Sequence, residues 1–216
     1  LCGFPEELAI AIEKSFLETG HPRDLWNVHS CGCGDWKTRG MNHVGHEGMV
    51  RRHTAGHIGE APMLGKLVLE NKVQCHLFPQ GILVHLFRQM AGGKPGVLTK
   101  VGLGTYADPR REGGKINDIT PDDLVKLVEF EGEEYLYFKP LKLDVAMIRG
   151  TVCDEDGNMT MDEEPLFLEA LHQAMAAKRN GGIVIAQVKY VAKAKTLNPK
   201  AVKVPGVLVD YIVVAK

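Results

Sequence analysis

The sequence predicts an open α/β fold, with a mostly parallel, twisted sheet and helices on both faces. Helical and strand patterns alternate from Pro5 to Met90, which is typical of βαβ units. The segment 183–188 is almost wholly apolar, as expected of a strand that is covered on both faces. With 216 residues, 44% of them hydrophobic, the chain is long enough for one sizeable core, and a single α/β domain over residues 1–216 is predicted.

In the first half, the pattern predicts a helix over 5–19. Proline stands in its first turn, acidic residues follow at once, and Gly20 and Pro22 end it. Leu8, Ile12 and Phe16 recur every fourth residue and predict its buried stripe. Further helices are predicted over 61–70 and 81–90, strands over 25–29 and 73–78, and a loop rich in Gly and His over 30–48.

In the second half, residues 100–120 are dense in glycine and lack periodicity, which predicts a long functional loop. A hairpin is predicted over 125–138, turning at Glu131-Gly132. Strands are predicted over 145–152, 159–161, 183–188 and 207–214, and a helix over 166–178. The segment Asp154–Asn158 resembles a calcium loop, but its glycine comes two positions early, so a tight turn between strands is favoured.

Composition narrows the function classes. The formal net charge of −1 argues against a nucleic-acid binder, which usually shows a basic surplus. No apolar run approaches the length of a membrane span. Five cysteines without the spacing of a secreted scaffold indicate a reducing compartment, so a cytoplasmic location is expected.

Two parts of the sequence could form a ligand site, one for a metal ion and one for a nucleotide. Potential zinc ligands crowd the first third of the chain: His29, Cys31, Cys33, His43, His46, His53 and His57. Their spacing matches no zinc motif, so ordinary loop and core residues are favoured and no metal is expected. Gly102–Ala107 fits the loose dinucleotide fingerprint, but Asp108-Pro109 follows where a helix would have to begin, so a nucleotide site is not favoured.

Short glycine-rich segments, here called joints, recur where strands and helices should end. They are residues 1–6, 56–62, 79–81 and 101–105. Glycine lets backbone amides approach a ligand closely at such positions. Gln80 stands at one such joint, where its side-chain amide either donates to a ligand oxygen or braces the loop. Glu60 is the carboxylate inside another joint, and is either a base or nucleophile or a first-turn acid that favours its helix dipole.

The joints, in their order, resemble the family I coenzyme A transferases, closest to the fused propionate and acetate type. The segments that carry the resemblance are Cys2–Leu8, Gly56–Pro62, Phe78–Gly81, Lys94–Thr105, Asp108–Arg110, Gly113–Lys115, Asp156–Asn158 and Val204–Val207. They cover essentially the whole chain. The resemblance implies the α-like half of such an enzyme, without its extreme N-terminus and without the β-like half that carries the catalytic glutamate.

The resemblance also implies the chemistry. Coenzyme A moves between a short-chain acyl-CoA and a short-chain carboxylate through a glutamyl-CoA intermediate, in ping-pong fashion, with coenzyme A as substrate and no cofactor. It implies no catalytic residue in this chain, with Glu60 only a weak candidate, and the chain alone is expected to be inactive. The implied substrate-binding positions are Ser30, Gly59, Gln80, Gly102 and Gly104.

The expected partners are acyl-CoA, a carboxylic acid, the β-like half and a further copy in a homo-oligomer. Two alternatives stay open, since the same fold carries sugar-phosphate isomerases and since an orphan half could be a non-catalytic binding or regulatory module. The preferred acyl chain is left open by the sequence.

Overall fold

A computed structural model describes residues 3–215. Cys2, which belongs to the first motif of the resemblance, lies outside the described residues. The chain falls into two compact units, one formed by residues 1–8, 90–94 and 141–216 and the other by residues 9–89 and 95–140. The assignment of residues 1–216 to one domain stays a prediction.

The elements up to residue 140 follow the predicted alternation of helix and strand. They are α1 (Glu6–Thr19), β1 (Leu25–Val28), a 3-10 helix (Met41–Val44), β2 (Val50–Ala55), α2 (Pro62–Leu69), β3 (Gln74–Leu77), α3 (Gln80–Ala91), β4 (Val97–Thr99), β5 (Val125–Phe130) and β6 (Glu133–Phe138). Strands β1, β2 and β3 pair in parallel in that order, and β4, β6 and β5 form an antiparallel sheet. The predicted hairpin at Glu131-Gly132 is confirmed.

The elements after residue 140 contain the other strands of the described chain. They are β7 (Val145–Arg149), β8 (Val152–Asp154), β9 (Met159–Thr160), α4 (Ala170–Arg179), β10 (Ile183–Val188), β11 (Tyr190–Ala192), β12 (Val202–Val204), a 3-10 helix (Gly206–Leu208) and β13 (Tyr211–Val214). Strand β10 lies in parallel between β13 and β7. A mixed sheet has the order β11-β8-β9-β12.

The predicted open α/β class with mostly parallel sheets is confirmed, since parallel pairings outnumber antiparallel ones. Within residues 3–215, however, the strands are distributed over four sheets and do not form a single one. None of the helices in that range is long and apolar enough to cross a membrane.

Each unit has its own apolar core. In the unit of residues 9–89 and 95–140, Phe78 packs edge-on against Phe138, with ring centroids 5.0 Å apart, and both rings are almost fully buried. In the other unit, small and branched side chains of β7, α4 and β10 are buried together, among them Ile148, Ala174 and Val184. The apolar run of β10, predicted from sequence, therefore lies in a core.

Strand β2 is absent from the sequence-based prediction, because polar residues interrupt its apolar pattern. Arg52, His53 and Thr54 are all buried. Arg52 can be buried because Asp123 accepts two hydrogen bonds from its guanidinium, at 2.8 and 2.5 Å, and because the indole of Trp26 lies 4.2 Å from it. A buried charge is tolerated where it is paired and hydrogen-bonded in this way.

Three predicted bounds are corrected. The strand predicted over 145–152 ends at Arg149, and Val152 begins the separate strand β8. The helix predicted over 166–178 begins only at Ala170, since Leu168 adopts a φ of 48°, which an α-helix cannot contain. The strand predicted over 207–214 is divided into a 3-10 turn and the short strand β13. The turn at Asp154–Asn158 is confirmed, because it joins the antiparallel pair β8 and β9.

Candidate functional site

Three glycine-rich or polar joints meet at the carboxyl ends of β1, β2 and β3. The register pairs Val28 with Thr54 and Thr54 with His76, so these parallel strands end at one edge. Gly56 lies at the meeting point. A Cβ at that position would stand 2.3 Å from the Ser30 carbonyl oxygen and 3.2 Å from Gln80 Cβ. The structure thus brings Ser30 and Gln80 together, and a glycine between them is required by the close approach.

Gln80 is the first residue of α3 and is exposed to solvent. The first amides of a helix have no acceptor inside it. At this helix start, Ile82 N donates to the Pro79 carbonyl at 2.8 Å. The side-chain amide of Gln80 therefore stands beside the positive end of a helix, an arrangement that favours binding of an oxygen carrying negative charge.

Glu60 is held against the loop that follows β1. Its main-chain carbonyl accepts a hydrogen bond from Trp36 N at 2.9 Å. Its carboxylate lies over Gly32, where a Cβ would be 2.0 Å from Oε2, and its carbonyl lies over Gly34, where a Cβ would be 1.9 Å away. Asn42 connects the two segments further, because its Oδ1 accepts from Met63 N at 3.0 Å. The Glu60 side chain is thus half-buried and positioned by neighbouring glycines.

Gly59 is exposed one residue before Glu60. A Cβ at Gly59 would stand 2.9 Å from Cε1 of the His57 ring. A side chain at this position would therefore meet the imidazole of its own joint. A role for Gly59 in substrate binding stays a prediction.

Gly102 and Gly104 lie in the long loop, in turns with φ values of 99° and 71°. Residues 100–108 form no helix, as predicted, so the dinucleotide fingerprint lacks the helix that it requires. The amide of Gly104 donates to Asp108 Oδ2 at 2.8 Å, and Arg110 beside that carboxylate holds the Asp108 pKa well below its usual range. The Gly104 amide is thus committed to its own loop, whereas Gly102 follows the exposed side chain of Val101.

The long loop is attached to the end of β3. Leu77 N donates to the Gly114 carbonyl at 2.8 Å, and Ile116 N donates to the Cys75 carbonyl at 3.0 Å. The end of the loop therefore pairs alongside β3, the strand that leads to Gln80. This placement agrees with the prediction that it is an ordered loop and not a linker.

Buried imidazoles line β2 and its neighbours. The rings of His29 and His53 lie 4.9 Å apart, and both nitrogens of His53 and the Nε2 of His29 have no hydrogen-bond partner within residues 3–215. Burial lowers the pKa of His29 to about 4, and burial together with the His29 ring holds the pKa of His53 well below 6.5. Burial, with Arg52 adding to it, lowers the pKa of His76 to about 4. These rings are neutral at pH 7.

Two more histidines of the predicted zinc-ligand set contact a carboxylate, whereas His57 is exposed beside Gly59. His43 Nδ1 and His46 Nε2 each lie 2.6 Å from an oxygen of Glu13. Burial raises the pKa of Glu13, but the hydrogen bonds to both imidazoles outweigh it, so that the pKa is lowered overall. The cluster joins α1 to the 3-10 helix. In the described part of the chain, no group of three or more His, Cys, Asp or Glu side chains is arranged to hold a metal ion.

The family model and the curated relatives that match the sequence are all described as coenzyme A transferases. The family model described as Coenzyme A transferase matches residues 1–215. Caffeate CoA-transferase of Acetobacterium woodii is 54% identical over 215 residues, which are 100% of this chain and 41% of that protein. Acetate CoA-transferase YdiF of Escherichia coli (strain K12) is 42% identical over 207 residues, covering 96% of this chain and 39% of that protein.

A solved structure is similar over the same range. The crystal structure of the acyl-CoA transferase (YdiF) apoenzyme from Escherichia coli O157:H7 matches with a TM-score of 0.97 and 41% identity, over 99% of this chain and 42% of that chain. The chain thus spans about two fifths of the length of the relatives that it matches.

Proposed function

The chain belongs to the coenzyme A transferase family, and from this premise we propose that the whole protein moves coenzyme A between a short-chain acyl-CoA and a short-chain carboxylate. The observation that carries the proposal is the meeting of Ser30, Gly56 and Gln80 at one edge of the parallel sheet. The Gln80 side chain carries an amide that can donate to a thioester or carboxylate oxygen at this edge. Coenzyme A is a substrate in this scheme, which includes no metal and no redox cofactor.

The proposed reaction is covalent. A glutamate of the β-like half attacks the acyl-CoA carbonyl, which gives a mixed anhydride and releases the coenzyme A thiolate. The thiolate then attacks the glutamyl carbonyl, so that a glutamyl-CoA thioester forms and the donor carboxylate leaves. The acceptor acid runs the same steps in reverse. This chain is proposed to supply part of the acyl pocket, with Ser30, Gly59, Gln80, Gly102 and Gly104 facing the substrate.

Within this proposal, Gln80 donates to the oxygen that gains negative charge when the thioester is attacked. Its exposure and its place at the start of α3 support this role, since a helix start favours negative charge. Glu60 is proposed to support the pocket without acting as nucleophile, because neighbouring glycines fix its carbonyl and its carboxylate against the loop after β1.

The deciding experiment compares Gln80→Ala with Gln89→Ala, a glutamine of the same helix, in the whole protein. Transfer of coenzyme A from acetyl-CoA to propionate is measured. Loss of an oxyanion donor typically costs ~10²–10³-fold in rate, and we expect a loss of this order for Gln80→Ala only. Equal rates in both variants and the wild type would remove Gln80 from the substrate site.

Glu60→Gln tests the other assignment in the same assay. Most of the turnover is expected to remain, since the amide has the shape of the carboxylate that lies over Gly32. Complete loss of turnover, with an unchanged melting temperature, would make Glu60 the nucleophile and would contradict the proposed location of the catalytic glutamate.

The partners follow from the same proposal. The β-like half and further copies are expected to cover apolar surface near the joints, where Trp36 and Val101 are exposed. A cytoplasmic location is proposed because Cys31, Cys33, Cys75 and Cys153 are free thiols. Sedimentation of this chain over a wide concentration range tests the first point, since a monomer at every concentration would oppose it.

A further inference from the structure

Two thiols stand side by side in the loop that follows β1. The Sγ atoms of Cys31 and Cys33 are 4.0 Å apart, and Cys33 Sγ also donates to the Cys31 carbonyl at 3.6 Å. Both residues are partly accessible to solvent, whereas Cys75 and Cys153 are fully buried. The pair therefore differs in exposure and in neighbourhood from the other thiols of the described chain.

The two thiols are chemically unequal. The hydrogen bond from Cys33 lowers the pKa of the Cys31 thiol to about 7, while the same interaction and burial raise the pKa of Cys33. Burial raises the pKa of Cys75 and of Cys153 to about 12. Since the thiolate is the reacting form, Cys31 is the thiol most ready to attack near neutral pH.

The backbone between the thiols allows them to join. Residues two positions apart are at most ~7 Å apart along an extended chain, and disulfides span Cα distances of about 4.4–6.8 Å. The intervening residue is Gly32, which has no side chain to oppose closure. The sulfur atoms need to approach by about 2 Å to reach bonding distance, starting from 4.0 Å.

We propose that Cys31 and Cys33 form a dithiol site that a low-molecular-weight disulfide converts into a disulfide within the loop. The Cys31 thiolate attacks one sulfur of the small disulfide, which forms a mixed disulfide and releases one thiolate. Cys33 then loses its proton to solvent and attacks Cys31 Sγ, which releases the second thiolate. The protein gives up two electrons, and the small disulfide is reduced to two thiols.

The second step becomes easier once the first has occurred. The high pKa of Cys33 arises in part from the negative charge on Cys31 beside it. A mixed disulfide at Cys31 carries no such charge, so the Cys33 thiol can then ionise more readily. The product ring would lie against the Glu60 carboxylate, which covers Gly32, and next to the Cys31 carbonyl, which contacts His29 Nδ1. Oxidation would therefore act on the edge of the sheet that carries Gln80.

The test follows the thiols by mass, and its result is independent of transferase activity. The whole protein is incubated with oxidised glutathione, alkylated and digested with trypsin. The peptide Asp24–Lys37 contains Cys31 and Cys33 and no other cysteine. We expect this peptide to appear unalkylated and lighter by two hydrogen atoms, at a rate that rises through about pH 7, the pKa of Cys31. Dithiothreitol should restore two alkylation sites.

Two variants and an internal control sharpen the result. Cys33→Ser should stop at a glutathione adduct on Cys31, and Cys31→Ser should react far more slowly than the wild type. The peptide that contains Cys75 should stay reduced, because that thiol is buried. A lasting glutathione adduct on the wild-type loop, full alkylation of both thiols after exposure, or equal oxidation of Cys75 would overturn the proposal.

Discussion

Replacement of Gly56 by alanine tests the close approach of the three joints most directly. The new Cβ would stand 2.3 Å from the Ser30 carbonyl oxygen and 3.2–3.3 Å from Gln80 Cβ and Cα. Ordinary contacts of a Cβ begin at 3.4 Å. The nearest atom belongs to the backbone and not to a flexible side chain. The loop after β1 must therefore move by about 1 Å to bring the 2.3 Å separation up to the ordinary contact distance.

The expected effect on stability follows from this overlap. Overpacking of this kind costs typically about 1–3 kcal/mol. At about 2–4 °C for each kcal/mol in a chain of this size, the middle of that range corresponds to a melting temperature lower by about 4–8 °C. The effect on catalysis should be larger, since a displacement of about 1 Å near a reacting group can cost about 10²-fold in rate.

Gly65→Ala provides the matched control. Gly65 lies inside α2, and a Cβ there would have no heavy atom within 4 Å. Alanine in a helix interior is favoured over glycine by about 0.5–1 kcal/mol, so the same substitution should raise the melting temperature here. Both variants are measured by thermal unfolding and by acetyl transfer to propionate in the whole protein. The reasoning fails if Gly56→Ala melts and turns over like the wild type.

Three further outcomes are expected in the whole protein. The buried imidazoles are neutral in the folded protein but accept a proton below about pH 6.5 when it unfolds. As the pH drops from 6.5 towards 4, each imidazole should therefore lower the free energy of unfolding by about 1.4 kcal/mol per pH unit. His53→Phe should reduce this slope by one proton, and an unchanged slope in urea unfolding would contradict the prediction. Asp123→Asn should destabilise by about 1–3 kcal/mol in denaturant titrations, because it leaves the buried guanidinium of Arg52 without its carboxylate, and a loss below about 0.5 kcal/mol would count against that pairing. Asp108→Asn should speed hydrogen exchange of the Gly104 amide, and equal exchange rates would show that the carboxylate does not hold the loop.

Much of the fold could be predicted because local signals and burial agree. Helix α1 is framed by proline and glycine, and β10 is apolar along its length, so the sequence predicts both close to their observed bounds. Strand β2 could not be found by pattern, because its buried side chains include Arg52 and His53. Their burial depends on Asp123 and on neighbouring strands, which are distant in sequence.

The positions of the candidate site come from the sequence, but their contacts do not. A strand followed by a glycine-rich joint marks the edge where ligands bind, which singles out Gln80, and the family resemblance adds Ser30. The structure brings both residues against Gly56, while their role in substrate binding stays a prediction. The contact of Gly32 with the Glu60 carboxylate has no signal in the spacing of those residues, since a loop folds back to make it. The pairing of Cys31 with Cys33 also depends on the path of that loop.

The division of the chain into two units has a consequence for the order of folding during synthesis. All residues of the unit 9–89 and 95–140 have been made once residue 140 is added. The strands β7–β13 and helix α4 of the other unit are all made later, although its segment 3–8 is made before residue 9. At about 5–20 residues per second, the ribosome needs several seconds to add residues 141–215. The sheet edge with Gln80 can thus be complete while the segment before residue 9 still lacks the strands and the helix of its own unit.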